Sequence, residues 1–400
     1  MEDNKCKAIS RISVFLVITL IVIAVAIAAF YATQTLVTPS GPIKIGVIAS
    51  LSGWQAAYGG SAKEGLELAI SEVNEAGGVN GRIIQLVVYD DASDPKQSVA
   101  LSHKLIQEDK VKAGFAATHT GAVLSITKIW QDAKIPLLTT HSSHPDVTAT
   151  GDYNFRIQLH VSQSGSVGAG FLIQDLGARK IALLIADADF TRLDSLYFKD
   201  KVARLGGTMV FEKIYPPDTR EFRSFLTAVK ESGAQALYID SFDADGAAIV
   251  IQSRELGLNL PIMGPNSLGT PVFLRTAGQA AEGVYLSTVF DPGVGTEVAK
   301  RFVSKYSEKY GRTPNPFAAL GYDGGRILAE AIKLGGAEPA EIKAGLMKVK
   351  DLQGVTGLIK GYTPDRELLR PILVLTVKEG KFALHKVVDD PALVTPYRLG

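Results

Sequence analysis

KIGVIAS (residues 44–50) followed by AKEGLELAISEVNEA (62–76) is the stretch that decides the fold. The first run is nearly continuous in apolar residues, which suits a strand buried on both faces of a parallel sheet. The second places Leu66, Ala69, Ile70 and Val73 at helical spacing and stops at Gly77-Gly78, a helix-ending signal. A strand feeding a helix that folds back on it is one β-α unit, and the unit recurs. Further strands are expected at IIQLVVYD (83–90), KAGFAAT (112–118), IPLLTT (135–140), KIALLIAD (180–187), TMVFEKIY (208–215), QALYIDSF (235–242) and GVYLSTVF (283–290). Asp94-Pro95 opens a helix, an N-cap followed by a residue that needs no amide there. Thr219–Ser232 and Ala244–Leu256 carry similar apolar stripes, and Gly206-Gly207 and Gly257 mark further helix ends. Such repetition argues for doubly wound parallel sheets. One group of units precedes about residue 155 and another follows about residue 164, so two α/β lobes are expected. Ligands of such sheets bind outside the carboxyl ends of the strands, which points to the cleft between the lobes.

Length agrees, because 400 residues exceed one ordinary core. The 42 Lys and Arg nearly cancel the 41 Asp and Glu, so the basic excess of a dedicated nucleic-acid binder is missing. Ile12–Tyr31, ISVFLVITLIVIAVAIAAFY, holds no charge. As a helix, about twenty residues reach about 30 Å, the thickness of a hydrocarbon core. Lys5, Lys7 and Arg11 precede it, which keeps the N-terminus cytoplasmic and exports the rest. The competing reading is a cleaved signal peptide, whose apolar run is shorter at about 7–15 residues. We therefore read residues 1–11 as a cytoplasmic tail, 12–31 as a transmembrane anchor and 32–42 as a tether to an extracytoplasmic body. Cleavage would instead leave that body secreted or periplasmic. The single cysteine, Cys6, precedes the apolar run, so neither lipid attachment there nor a disulfide in the body is expected.

The chain resembles periplasmic binding proteins of the Leu/Ile/Val-binding type. Five segments carry the resemblance: IASLSGWQAAYGGSAKEGLELAISEVNEAGGVNGR (48–82), YDDASDPKQSVA (89–100), LGARKIALLIADADF (176–190), ARLGGTMVFE (203–212) and NPFAALGYDGGRILAEAI (315–332). They lie in the family's order across nearly all of residues 43–390. The resemblance implies the type I periplasmic binding protein fold, two doubly wound parallel-sheet lobes joined by three crossovers. It assigns residues 43–158 and 290–345 to the first lobe, 159–289 and 346–390 to the second, and leaves 391–400 as a C-terminal tail.

Two strand ends hold groups suited to an anion. After KAGFAAT come His119, Thr120 and Gly121, directly before a helix over 122–132, and after IPLLTT come His141, Ser142, Ser143 and His144. Hydroxyls and free amides converge there with the positive end of a helix dipole. Read alone, such hydroxyls are more often plain helix caps. The resemblance assigns both loops to a ligand carboxylate, with Thr120 and Ser143 in the matching positions and Thr118 competing with Thr120. It also places Tyr58 in the cleft, with Trp54 in the same loop, Phe190 where the family has a tyrosine, Phe242 in the second lobe, and Phe317 on the late helix. At the strand end Met263-Gly264-Pro265, amino-acid receptors of the family carry an acid for the ligand's ammonium, but this chain has Asn266. An amide supplies no counter-charge. Asp187, Asp189, Asp240, Asp243 or Asp245 would have to supply it, and otherwise the ligand is a carboxylate or an amide.

His119, His141 and His144 raise the alternative of zinc, but no acidic or thiol partner follows at metal spacing, so no metal is expected. Ligand-facing imidazoles are the preferred reading. Asp90, Asp91 and Asp94 are read as a structural turn rather than a calcium site. No nucleophile elbow, phosphate loop or dinucleotide fingerprint is present, so neither catalysis nor a cofactor is expected. The function expected from the resemblance is the extracytoplasmic substrate-binding component of an ABC importer, with permease and ATPase subunits as partners. Its ligand would be a small amino acid, of the branched-chain type first, or a related carboxylate. A membrane-anchored sensor without transport and an extracellular hydrolase are the alternatives.

Overall fold

The computed structural model describes residues 19, 21–26, 41–216, 219–293 and 296–399. Of the apolar run 12–31 only Thr19 and residues 21–26 fall among them, and they are helical. The expected anchor and most of the tether lie outside the described residues. Among the described residues no helix is long and apolar enough to cross a membrane. Residues 1–42 separate from 43–400 as a unit of their own, and the two sheets belong to the second unit.

β1 (Ile43–Ala49) is buried along nearly its whole length, as its continuous apolar run requires. It pairs in parallel with β2 (Ile84–Asp90) on one side and with β3 (Ala113–Ala117) on the other. β4 (Leu137–Thr139) and β5 (Asn154–Arg156) complete a parallel sheet of order β2-β1-β3-β4-β5. The order reverses between β1 and β3, so the loops after these two strands diverge and open a crevice. A second sheet repeats the plan. β6 (Lys180–Ala186), β7 (Thr208–Tyr215), β8 (Ala236–Asp240), β9 (Ile262–Gly264) and β10 (Tyr285–Thr288) stand in the order β7-β6-β8-β9-β10.

The second sheet also departs from a purely parallel one. After the short strands β11 (Leu352–Gly354), β12 (Gly357–Ile359), β13 (Gly361–Tyr362) and β14 (Leu368–Leu369), β15 (Ile372–Lys378) and β16 (Lys381–Val388) form a hairpin. β15 joins β10 antiparallel, making seven strands.

The chain crosses between the sheets rather than finishing one before starting the other. The helix Pro316–Gly335 follows β10 yet lies on the helix Ala56–Glu75 of the first sheet. Glycine makes that approach possible. A Cβ on Gly65 would fall 1.9 Å from the Ala318 carbonyl oxygen, and one on Gly321 1.9 Å from that of Ala62. The helix Glu297–Tyr310 and the loop after it are tied to the same place, with Lys305 to Glu72 at 2.7 Å and Arg312 to Glu64 at 2.6 Å. The expected C-terminal tail is packed: Leu393 and Val394 of the helix Pro391–Val394 are buried, and Tyr397 lies edge-on to Tyr197.

Candidate ligand-binding site

A cavity of about 300 Å³ lies where the carboxyl ends of the two sheets face each other. Trp54, Gln55 and Tyr58 reach it from the loop and helix after β1, and His119, Thr120 and Gly121 from the segment after β3. His141 and Ser143 follow β4, and Phe317 begins the helix Pro316–Gly335. From the second sheet come Phe190 after β6, Phe242 after β8 and Asn266 after β9.

The wall from the first sheet is polar and mostly buried. His119 stands at the N-cap of the helix Thr120–Asp132 but gives it no side-chain cap, so the first-turn amides face the cavity end without one. Its Nε2 instead meets the Ser93 carbonyl at 3.2 Å, and its ring tilts against Trp54 at 5.2 Å. Ser143 is 4% exposed, and its Oγ is buried without a hydrogen-bond partner among the described residues. A buried hydroxyl that lines a cavity without a partner in the protein is free to meet a ligand there. His141 stacks on Phe317 at 4.7 Å and bonds the Thr140 hydroxyl through Nδ1 at 2.9 Å. Burial lowers its pKa to about 4, so the ring is neutral near pH 7.

Rings reach the cavity from both walls. Phe190 and Phe242 are half-buried, and Trp54, 60% exposed at the mouth, lies edge-on to Phe242 at 6.1 Å. Tyr58 packs against Phe317 at 4.8 Å and donates its hydroxyl across the gap to Asp243 Oδ2 at 2.6 Å. The Thr270 hydroxyl donates to the other oxygen of Asp243. Desolvation raises the pKa of both Tyr58 and Asp243. Asn266 donates to Gln158 Oε1 at 3.3 Å. Among the described residues no lysine or arginine lines the cavity.

A family model described as periplasmic binding protein matches residues 42–381. The chain belongs to that family. It is similar to an amino acid binding protein of Pseudomonas aeruginosa, 28% identical over 79% of this chain and 84% of the relative. Among solved structures it is similar to the branched-chain amino acid transporter substrate-binding protein LivJ from Streptococcus pneumoniae, in complex with isoleucine. That likeness has a TM-score of 0.79 and 28% identity, and covers 87% of this chain and 99% of the other. A solute-binding protein of an ABC transporter from Rhodopseudomonas palustris, in complex with 3,4-dihydroxybenzoic acid, matches with a TM-score of 0.78 and 25% identity. It covers 87% of this chain and 97% of the other.

Two residues expected at the site of this binding protein lie behind it. Thr118 is fully buried, its Oγ1 2.9 Å from Ser50 Oγ and turned away from the cavity. Ser142 is also fully buried, and its hydroxyl supports Thr120 Oγ1 at 3.4 Å. In an extended segment neighbouring side chains point to opposite sides, so Ser143 faces in and Ser142 faces back. The residues missed are Gln55, Gly121, Gln158, Leu159, Ser164, Ala188 and Ser267; Asp189, considered only as a counter-charge, also lines the cavity. Gln55, Gly121, Asp189 and Ser267 are immediate neighbours of expected residues, a signal that was available. Ser164 sits on the helix Val161–Gly170, and no strand-end argument reaches it. Asp90 and Asp91 form the expected turn: Asp90 accepts from the Leu51 and Ala92 amides, both at 2.8 Å, and Asp91 from the Ser50 and Ser98 hydroxyls at 2.8 and 2.7 Å.

Proposed function

We propose that this binding protein closes on a small amino acid or related carboxylate, branched-chain amino acids first, and delivers it to the permease of an ABC importer. The observation that carries the reading is the buried, unmatched Ser143 hydroxyl beside the uncapped start of the helix Thr120–Asp132. Together they form a site for a carboxylate without a positive side chain. Thr120 adds a second hydroxyl, and His119 and His141 border it. Tyr58, Trp54, Phe190, Phe242 and Phe317 enclose the apolar part of the solute, with Asn266 at its polar edge.

In this reading residues 43–158 with 290–345 form one lobe, and 159–289 with 346–390 the other. The lobes hinge on the three connecting passages and close over the solute. Residues 12–31 anchor the protein at the extracytoplasmic face of the membrane. The role is binding, not catalysis. The aromatic lining, together with the relative that holds 3,4-dihydroxybenzoic acid, supports a second reading in which the solute is an aromatic carboxylate.

The test is calorimetry of the full chain in detergent against amino acids and aromatic carboxylates, repeated with Ser143→Ala combined with Thr120→Ala. Binding is expected to be lost with the melting temperature kept. Unchanged affinity in the double variant defeats the site assignment.

A further inference from the structure

We infer that Asp189 holds the ammonium of the ligand, so that the cavity selects an α-amino acid over a plain carboxylate. The inference rests on the proposed carboxylate site, and it starts from the missing acid at Asn266. That amide is neutral and already faces Gln158. Four of the five aspartates that could replace the acid are occupied or out of reach. Asp187 pairs with Arg192. Asp243 accepts from Tyr58 and Thr270. Asp245 accepts from the Tyr215 hydroxyl at 2.6 Å and the Phe242 amide at 3.0 Å. Asp240 is fully buried and does not line the cavity.

Asp189 differs from all four. It is an exposed residue that lines both the cavity and a neighbouring hollow beside Arg192, and, with Arg192 paired to Asp187, no hydrogen bond or ion pair engages its own carboxylate among the described residues. Its position also matters. A Cβ placed on Gly121 would stand 3.4 Å from Asp189 Oδ2, so this carboxylate from the second-sheet side faces the first turn of the helix Thr120–Asp132. The anion-accepting amides and a free negative charge therefore lie side by side, on opposite walls of the gap. A ligand whose cation is one carbon away from its carboxylate satisfies both. A benzoate or an alkanoate placed on the same amides would bring a second negative charge next to Asp189, and no lysine or arginine among the described residues lines the cavity to offset it. A cation placed several carbons from the carboxylate would overshoot Asp189.

The experiment is calorimetry of the full chain in detergent with matched pairs, L-leucine against 4-methylpentanoate and L-phenylalanine against 3-phenylpropanoate, plus benzoate. The wild type is expected to bind at least one amino acid ten or more times more tightly than its des-amino partner. Asp189→Asn should erase that preference, weakening the amino acid at least tenfold and leaving or improving the des-amino acid. Asp189→Glu should retain part of it, and unchanged melting temperatures would show that the fold is intact. If the wild type binds but prefers the des-amino acid or benzoate, or if Asp189→Asn keeps the wild-type preference, this inference alone is overturned. If the wild type binds neither class, the carboxylate site falls, and this inference with it.

Discussion

The two walls of the cavity are built at the same kind of place, the loops at strand carboxyl ends, yet their polar groups differ in kind. The first-sheet wall sets small hydroxyls and helix amides, with Thr120 and Ser143 only 6% and 4% exposed, beside the rings of Trp54, Tyr58 and Phe317. The facing wall offers half-buried rings and an unpaired acid. A buried donor set keeps its geometry whether or not a solute is present, whereas half-exposed rings gain cover only when the gap closes. The contrast implies a division of labour: the buried hydroxyls and amides hold the end that all candidate solutes share, and the rings with Asp189 read what differs between them.

The rigidity of the first wall has an identifiable brace, and removing it should do more damage than any other single change at the site. Arg156 is fully buried and donates to the Ser142 carbonyl at 2.6 Å and the His144 carbonyl at 2.5 Å, spanning Ser143. Its Nε meets Glu367 at 2.6 Å. Arg156→Met leaves that buried carboxylate without its cation, and the expected loss of stability is about 3–5 kcal/mol. Urea unfolding measures it. A loss within about 0.5 kcal/mol, typical of a surface site, would contradict the role assigned to Arg156.

A smaller effect separates the walls by pH. Burial holds His141 at a pKa of about 4, against 6.5 for a free imidazole. The unfolded chain therefore binds a proton as the pH falls through 6.5 while the folded chain does not, so the contribution is complete above 6.5 and is lost as pH falls toward 4. Between pH 7.5 and pH 5 the loss from this ring is about 2 kcal/mol. His160, at about 2 through burial and the nearby Arg156, adds a loss of the same sign. His141→Gln should flatten part of the profile of urea midpoint against pH, and an unaltered profile would count against a neutral His141.

The smallest expected effect concerns the direct bond between the walls. Tyr58→Phe removes the donor to Asp243 and leaves that acid with Thr270. Ligand affinity is expected to fall by about 1 kcal/mol, roughly fivefold, without unfolding. An unchanged affinity would show that this bond plays no part in closure.

Much of this arrangement was legible because strand ends are local signals. A continuous apolar run followed by polar residues and a helix start is enough to put the loops of Thr120 and Ser143 at strand ends, whereas Phe190, Phe242 and Asn266 were picked out by the resemblance. What failed was finer than the strand end or longer than any local pattern. Thr118 and Ser142 differ from their neighbours only in which side of the backbone they face. Arg156 and Glu367 are 211 residues apart and meet only because the chain returns to the first sheet. The hairpin of β15 and β16 and the docked helix Pro391–Val394 are likewise set by long-range packing. Gln163 Nε2 donates to the Val394 carbonyl at 2.7 Å, a bond that nothing around either residue announces.

The decisive measurement is a crystal structure of the protein with its tightest-binding solute, read through the separation of one pair of atoms. We expect a carboxylate oxygen of the solute about 2.6–3.0 Å from Ser143 Oγ, with the rings of Phe190 and Phe242 over its apolar part. A solute bound with its carboxylate beyond hydrogen-bond reach of Ser143, or seated outside the gap between the two sheets, would refute the site.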